Sequence, residues 1–449
     1  MTFISWRGRS TVTLLPTKTE SIMTPTIAIP QRLRLDNAAN IYPASMTKSY
    51  SSLYRMSVTL NEAVDLILLQ KALELTSERI PTFRCTLSAG SFWWYLDRTE
   101  RAPRVRTLKP LKHFRFQDQD GLLYRISADG RRIVLDVFHA LADGHGAQVF
   151  LLTLTGAYLK LKYGIHIAYN SLVLNPADPA TYAEVEDSFK TVFSGRHGQL
   201  EQNVDAWHIP GHKLPDGHVK DLRMVLPMNK LQEATRQYDC TVTELLIACM
   251  LDALQVEHGK DHNPRRKSVL KVSVPVNLRP RYGSSSLRNF SSYVNLGVDV
   301  CNGYLTFPSI VKTVKKQKAW ALQKENLEPK IAANVELEEN LGVRCIPLWI
   351  KHPIIDIINR LHGDRYVTQT LSNLGKVVLP ESMQPYVLEM DFVLGRQRGN
   401  SGAASCLSYN GQLYLHLSRK IVEDSFERNL TKRIQSLGIP VKSTLTDLA

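Results

Sequence analysis

The sequence has few cysteines, and no two of them stand close together. The six among its 449 residues are scattered along the chain: Cys85, Cys240, Cys249, Cys301, Cys345 and Cys406. This distribution argues against a disulfide framework and against a zinc site, and it is typical of a reducing compartment. We therefore expect small packing residues, no bound metal and a cytoplasmic protein.

Long apolar runs are also absent. No run reaches the roughly 18 residues that a membrane-spanning helix needs, so no membrane span is predicted. The first 21 residues are polar and basic, with one short apolar patch. They lack the long apolar core and the cleavage site of a secretory signal, which again favours the cytoplasm.

Acidic residues are outnumbered, and the formal net charge is +14. The densest basic clusters, Arg98–Arg106 and Arg265–Lys267, are short and not interleaved with aromatic residues, so a nucleic-acid partner is not expected. A solvated surface explains the charge most simply. A phosphate-rich ligand such as coenzyme A is the alternative.

The length predicts two domains, because one hydrophobic core rarely supports so long a chain. Residues 1–45 are rich in Thr, Pro and Ser, and we expect a disordered extension. Residues 46–215 and 216–449 then form the two domains, with a crossover around 170–219 where periodicity is weak. Strand hairpins alternate with helices, which predicts an α/β fold with mixed sheets flanked by helices.

Alternation of apolar and polar residues predicts strands, and apolar residues at helical spacing predict helices. Arg101–Asp120 is predicted to be a long loop. The principal predictions are strands at Leu53–Leu60, Leu122–Ser127, Arg132–Phe138, Val269–Val276, Tyr366–Leu371, Tyr386–Leu394, Ala403–Tyr409 and Gln412–Leu417, and helices at Ala147–Lys160, Ser309–Gln323, Pro347–Leu361 and Val422–Ser436.

A chemical motif separates the predicted strand Arg132–Phe138 from the helix that follows. It consists of His139, three apolar residues, Asp143 and Gly144. A neutral imidazole whose Nδ1–H is held by backbone leaves Nε2 free to accept a proton, so His139 is a candidate general base. The alternative is that Asp143 and Gly144 only form a turn and that His139 is an interior residue with satisfied hydrogen bonds.

The motif resembles the active-site motif of the chloramphenicol acetyltransferase-like superfamily. Further stretches, in the expected order, resemble its alcohol acetyltransferase branch: Ile80–Arg84, Phe92–Leu96, Pro275–Arg279, Leu287–Phe290 and Leu371–Gly375. The resemblance implies two similar domains arranged as a pseudo-dimer with a tunnel between them. It also implies that His139 deprotonates the acceptor and that Asp143 points away from the substrate to pair with an arginine.

Several residues are candidates for supporting roles. Arg279 is the expected partner of Asp143 because guanidinium groups pair bidentately, and Asn277 is expected to orient the same loop. The hydroxyls of Ser291 or Ser292, or the amide of Asn289, are candidate donors to a tetrahedral oxyanion. Each could also be an ordinary surface, loop or turn residue. The turn that contains Ser372, Asn373 and Gly375 is expected to border the tunnel.

The resemblance implies an O-acyltransferase that moves an acyl group, acetyl in the simplest case, from coenzyme A to a small alcohol or amine. The thioester is a co-substrate, and no permanently bound cofactor is expected. An acyl carrier protein as donor and a catalytically silent acyl-binding scaffold remain alternatives. Phe138 stands where many condensation domains carry a first histidine, which weakens the peptide-condensation interpretation. Because both domains lie on one chain, we expect a monomer.

Overall fold

The computed structural model describes residues 29–47, 50–111, 114–199, 203–362 and 364–448. The strands of this part of the chain are β1 (Arg32–Arg34), β2 (Leu53–Leu60), β3 (Cys85–Ala89), β4 (Trp94–Arg98), β5 (Val105–Thr107), β6 (Tyr124–Asp129), β7 (Arg132–Phe138), β8 (Lys220–Pro227), β9 (Val269–Asn277), β10 (Ser291–Asp299), β11 (Gln369–Lys376), β12 (Val387–Leu394), β13 (Gly402–Tyr409), β14 (Gln412–Arg419) and β15 (Lys442–Asp447). The α-helices are α1 (Ile41–Ser45), α2 (Leu66–Arg79), α3 (Gly144–Tyr163), α4 (Tyr182–Val185), α5 (Ser188–Phe193), α6 (Met228–Gln237), α7 (Val242–Lys260), α8 (Arg279–Tyr282), α9 (Phe307–Ala321), α10 (Lys324–Glu339), α11 (Leu341–Cys345), α12 (Leu348–His362) and α13 (Ser425–Ser436).

Two large sheets organise these elements. The first sheet has the strand order β12-β2-β7-β6-β5, and the second has the order β10-β9-β11-β13-β14-β8-β15. A small sheet, β1-β4-β3, lies beside them. Both large sheets are mixed, because β5 runs parallel to β6, and β11 runs parallel to β9 and β13. The predicted α/β fold with mixed sheets flanked by helices is confirmed.

The motif lies between two of the most deeply buried elements. Strand β7 is buried from Ile133 to Phe138 because its apolar side chains pack on both faces of the sheet. Helix α3 is buried from Gly146 to Leu159. Asp143 accepts a hydrogen bond at the N-terminus of α3, and Gly164 ends the helix with a positive φ of 65°. His139 is therefore held between two rigid elements.

The C-terminal half contributes one strand to the first sheet. Strand β12 pairs antiparallel with β2, with Met390 opposite Val58 and Leu394 opposite Tyr54. The chain then returns to the second sheet through β13 and β14. β12 covers the edge of β2, which would otherwise expose unpaired backbone groups. A boundary between residues 215 and 216 thus does not separate the two sheets.

Part of the N-terminal extension is ordered. Residues 1–28 lie outside the described residues, but for 32–45 the prediction of disorder is wrong. Strand β1 pairs with β4, and Leu35 and Ala39 are fully buried in the hydrophobic core that surrounds the first sheet. Asp36 caps a 3-10 helix, Asn37–Asn40, that leads into α1. The apolar side chains of this segment bury enough surface to hold it in place.

Other differences between the predicted and the observed elements have local causes. Helix α10 was not predicted, because Pro329 and several acidic residues interrupt an apolar pattern in which only Leu327, Ile331 and Val335 are aligned. Strand β15 is exposed along its whole length and lacks alternation. The predicted loop Arg101–Asp120 contains the short strand β5. Within the described ranges, no helix is long and apolar enough to cross a membrane.

Candidate active site

His139 follows directly on the last residue of β7. Its backbone N–H donates to the carbonyl oxygen of Ser52 at 3.1 Å. Its half-buried ring stacks on Tyr42, with centroids 4.3 Å apart, and meets the edge of Tyr54 at 5.1 Å. Two aromatic rings and one backbone hydrogen bond therefore fix the orientation of the imidazole.

Asn289 contacts the imidazole at Nδ1. Its Oδ1 lies 3.2 Å from His139 Nδ1. Its Nδ2 faces two acceptors, Asp36 Oδ2 at 3.4 Å and the carbonyl oxygen of Ala140 at 3.5 Å. The amide oxygen must then point to the histidine, so Nδ1 is the donor. In the part of the chain that the structure describes, no hydrogen bond occupies Nε2, which is the nitrogen a base needs.

Burial lowers the pKa of the His139 imidazole below its ordinary value. The histidine's own backbone, the Asp143 carboxylate and the Asn289 side chain act in the opposite direction but do not outweigh burial. The ring is therefore neutral at pH 7 and can accept a proton.

Asp143 is saturated with donors and makes no hydrogen bond to His139. Arg279 Nη1 donates to Oδ2 at 2.8 Å and Nη2 to Oδ1 at 3.1 Å, a bidentate ion pair between buried side chains. The N–H groups of Gly146 and Phe290 donate to the same two oxygens at 3.1 and 3.0 Å. Burial raises the pKa of this carboxyl, but Arg279 outweighs burial and holds it below its ordinary value.

Arg279 is itself fixed on every side. Its Nε donates to the carbonyl oxygen of Ser286 at 2.6 Å, and Nη2 also donates to that of Arg288. Asn277 Oδ1 accepts from the Arg279 backbone N–H at 3.1 Å and from Nη1 at 3.2 Å. The structure thus brings Asp143, Arg279 and Asn277 together, at the point where β9 ends and α8 begins.

The segment Leu287–Phe290, here called the crossing segment, connects these groups to the first sheet. A Cβ on Gly146 would lie 2.0 Å from the carbonyl oxygen of Leu287. A Cβ on Gly144 would lie 2.7 Å from Leu374 Cδ2, on β11. Both glycines of the motif therefore allow the two halves of the chain to meet closely.

Solved structures of known proteins share this architecture, although neither a family model nor a curated protein sequence matches the chain. TRI101 of F. graminearum, complexed with coenzyme A and deoxynivalenol, has a TM-score of 0.60 at 10% identity, covering 93% of this chain and 100% of that one. Polyketide synthase associated protein 5 from Mycobacterium tuberculosis has a TM-score of 0.57 at 15% identity, covering 90% and 97%. The first condensation domain of the calcium-dependent antibiotic synthetase has a TM-score of 0.58 at 14% identity, covering 90% and 95%.

The chain has the chloramphenicol acetyltransferase-like fold. These similarities cover at least 90% of the chain, so the fold class that the resemblance implied is confirmed. At 10 to 15% identity the likeness establishes the fold alone.

Other predicted site residues lie near the junction of the halves of this chloramphenicol acetyltransferase-like fold. Ser291 and Ser292 begin β10, opposite Asn277 and Val276 of β9. Asn373 Nδ2 donates to Thr243 Oγ1 at 3.0 Å, and its Oδ1 accepts from the N–H of Gly375, whose φ is 78°. Ser372 pairs with Ser405 on β13. None of the four predicted residues Ser291, Ser292, Ser372 and Gly375 makes a side-chain hydrogen bond to His139 among the described residues.

Three residues that contact this site were not found from the sequence. Asp36 and Tyr42 lie in the stretch that was predicted to be disordered, although Leu33 and Leu35 alternate before the helix-capping Asp36 and could have indicated order. Tyr54 belongs to the correctly predicted strand β2, but its hydroxyl contacts the motif loop, 2.9 Å from the carbonyl oxygen of Ala142. Nothing local in the sequence indicates that contact.

Within the described ranges, no group of three or more His, Cys, Asp or Glu residues could hold a metal ion.

Proposed function

We propose that the protein is an O-acyltransferase that moves an acyl group, acetyl in the simplest case, from coenzyme A to the hydroxyl of a small molecule. The observation that carries the proposal is the state of His139. Its Nδ1 faces Asn289 Oδ1 at 3.2 Å, burial lowers its pKa, and no hydrogen bond among the described residues occupies Nε2. That is the state a general base requires.

In the proposed reaction, Nε2 of His139 removes the proton from the acceptor hydroxyl as the oxygen attacks the thioester carbonyl. The tetrahedral intermediate collapses, the carbon–sulfur bond breaks, and the imidazolium returns its proton to the leaving thiolate. No acyl-enzyme forms. The hydroxyls of Ser291 and Ser292 are the candidate oxyanion donors, because the Asn289 amide nitrogen is already engaged by Asp36 and Ala140.

Asp143 and Arg279 act as a brace in this scheme. They hold the loop between His139 and α3 against the crossing segment, and they touch neither substrate. Donor and acceptor would reach His139 from opposite faces, through a tunnel between the two halves that Ser372, Asn373 and Gly375 border. Because both halves belong to one chain, the proposed enzyme works as a monomer. Its six free cysteines support a cytoplasmic setting.

Coenzyme A as donor is supported by two observations. TRI101, which has the same fold, is complexed with coenzyme A in its solved structure. The net charge of +14 suits a donor that carries several phosphates. A carrier-protein thioester is the second candidate, because a condensation domain and a polyketide synthase associated protein share the fold.

The test is a transfer assay with purified protein, acetyl-CoA and a panel of alcohols and amines, in which free thiol release and acylated product are both measured. His139→Ala should lower the rate by about 10²- to 10⁴-fold, the usual contribution of a general base. His166→Ala is the matched control, because His166 is exposed and away from the motif. Undiminished activity of His139→Ala would refute the assigned base.

A second arm distinguishes the donors. The same acceptors are tested with acetyl-CoA and with an acetylated phosphopantetheinyl carrier protein at equal concentration. Faster transfer from coenzyme A supports the leading proposal. Transfer from the carrier alone would replace it with the second candidate, and absence of transfer from both donors to every acceptor would contradict the enzyme proposal.

A further inference from the structure

Asp36 is a buried carboxylate that faces the back of the active site. Its side chain is fully inaccessible. Oδ1 accepts the N–H of Ala39 at 2.9 Å, which caps the short 3-10 helix. Oδ2 points the other way, toward Asn289, and accepts from its backbone N–H at 3.3 Å and its Nδ2 at 3.4 Å. A capping role needs one of these oxygens, and the second faces Asn289 and, at 3.6 Å, the Arg288 guanidinium.

The second oxygen completes a connected series of contacts to the imidazole. Asp36 Oδ2 accepts from Asn289 Nδ2, and Asn289 Oδ1 accepts from His139 Nδ1 at 3.2 Å. A side-chain amide can present either its oxygen or its nitrogen to a histidine. The acceptors on the far side, Asp36 Oδ2 and the carbonyl oxygen of Ala140, decide between the two, because each attracts the amide nitrogen and excludes the amide oxygen.

We propose that Asp36 is a positioning residue that determines, through Asn289, which nitrogen of His139 carries the proton. This inference rests on the proposed function of His139 as a base. It assigns a role in the active site to the N-terminal segment Arg32–Ser45, whose Tyr42 also stacks on the same imidazole.

The surroundings of Asp36 fit this role. Arg288 of the crossing segment approaches its carboxylate at 3.6 Å, while the same guanidinium donates to the carbonyl oxygens of Arg34 and Val185. Burial is the main reason that the pKa of Asp36 is raised to about 7; Arg288 opposes the rise, Asp187 adds to it, and Asn289 and the Ala39 N–H oppose it. Above about pH 7 Asp36 is ionised and acts only as an acceptor, so the proposed role applies in that range.

The sharpest variant is Asp36→Asn, which keeps the volume and inverts the polarity of one atom. The new amide can still cap Ala39 with its oxygen, and its nitrogen then faces Asn289. The Asn289 amide is expected to rotate, so that its nitrogen meets His139 Nδ1 and the proton moves to Nε2. Asp187→Asn is the matched control, because Asp187 is a half-buried helix cap near Arg288 that does not contact Asn289.

The primary measurement is the ¹⁵N chemical shifts of the His139 ring, which identify the tautomer and need no substrate. We expect the Nδ1–H form in the unmodified protein and in Asp187→Asn, and the Nε2–H form in Asp36→Asn. An unchanged tautomer in Asp36→Asn would overturn the inference, even if acyl transfer is confirmed. A change of tautomer would support it even if no acceptor is found.

Kinetics provide an independent readout once an acceptor is known. Asp36→Asn should lower kcat by about 10²- to 10⁴-fold, as for loss of the base, because the wrong tautomer leaves no acceptor at Nε2, with KM for both substrates unchanged. In an Asn289→Ala background the same substitution should have no further effect, because Asp36 acts through Asn289. Equal effects in the two backgrounds would contradict the inference.

Discussion

Two histidines lie where the two large sheets meet, and each has aspartates nearby, but they are held in opposite ways. His416 on β14 is bound at both ring nitrogens by carboxylates. Nδ1 lies 2.7 Å from Asp221 Oδ2 of the second sheet, and Nε2 lies 3.0 Å from Asp391 Oδ1 of the first. His139 instead has a neutral amide at Nδ1, and its neighbour Asp143 is turned toward Arg279.

These different hydrogen-bond partners set the charge of the two imidazole rings. Burial lowers the pKa of His416, but Asp221 and Asp391 outweigh burial and raise it to about 9. Burial prevails at His139 and lowers its pKa. His416 is therefore a charged link between the sheets, whereas His139 is a neutral acceptor. A histidine beside an aspartate forms an ion pair when the carboxylate oxygens contact its ring, and stays a neutral base when they point elsewhere. Arg279 binds both oxygens of Asp143 and so turns them away from His139.

Removal of the Arg279 guanidinium, the partner of Asp143, should have the largest effect on stability. Arg279→Met leaves a buried carboxylate without its cation and should lower the free energy of unfolding by about 3–5 kcal/mol. Denaturant unfolding measures the loss, and Arg281→Met, which removes an exposed arginine two residues away, is the control. A loss no larger than that of the control would show that Asp143 does not need this partner.

The contacts of His416 with Asp221 and Asp391 should make the stability of the protein depend on pH. The pKa of His416 is about 9 in the folded chain and about 6.5 in the unfolded chain. Its contribution is complete below pH 6.5 and is lost as the pH rises through 9, which amounts to about 3 kcal/mol.

His416→Gln isolates that contribution. The difference in unfolding free energy between the unmodified protein and this variant should shrink by about 3 kcal/mol between pH 6.5 and pH 9. Acyl transfer at neutral pH should be retained, because His416 is not part of the proposed active site. A difference that does not change with pH would show that His416 is not charged.

Much of the site around His139 could be predicted from the sequence, because the residues that indicate it are close together in the chain. The strand Arg132–Phe138 is apolar at every inward position, and Asp143 followed by Gly144 is a helix-capping pattern. The fold class followed from the same alternation and from the resemblance. The partner of Asp143 was a hypothesis that local pattern could not settle, since Arg279 lies 136 residues further along.

What could not be predicted depends on contacts between distant segments. The strand Val387–Leu394 was recognisable, but its place beside β2 in the first sheet was not, because an alternating strand can pair with any compatible edge. Asp36 and Tyr42 were missed for the same reason. Their segment is held by β4 and by the crossing segment, neither of which is near it in the sequence.

Substitution of the two glycines of the motif should have different effects, because the site around His139 depends on close packing of the motif against the crossing segment. Gly146→Ala places a Cβ against the rigid carbonyl of Leu287, and overpacking of this kind costs about 1–3 kcal/mol. Gly144→Ala meets only the end of the Leu374 side chain, which can rotate.

Thermal unfolding of the two variants tests this ranking. Gly146→Ala should be the less stable of the two and should lose more acyl transfer, because it displaces the segment that carries Asn289. Gly144→Ala should stay closer to the unmodified protein in both respects. The reverse order would mean that β11, and not the crossing segment, holds the motif in place.

The smallest expected effect comes from a tyrosine hydroxyl that contacts the motif loop. Tyr54→Phe keeps the ring edge against His139 but removes the hydroxyl that lies 2.9 Å from the carbonyl oxygen of Ala142 and 3.1 Å from that of Asp143. The loss should be about 1 kcal/mol of unfolding free energy. Tyr124→Phe is the matched control, because Tyr124 is buried in the same core and its hydroxyl has no hydrogen-bond partner among the described residues. That variant should be neutral or slightly more stable. Equal losses in the two variants would show that Tyr54 contributes only its ring, and that the loop between His139 and Asp143 is held by the carboxylate and Arg279 alone.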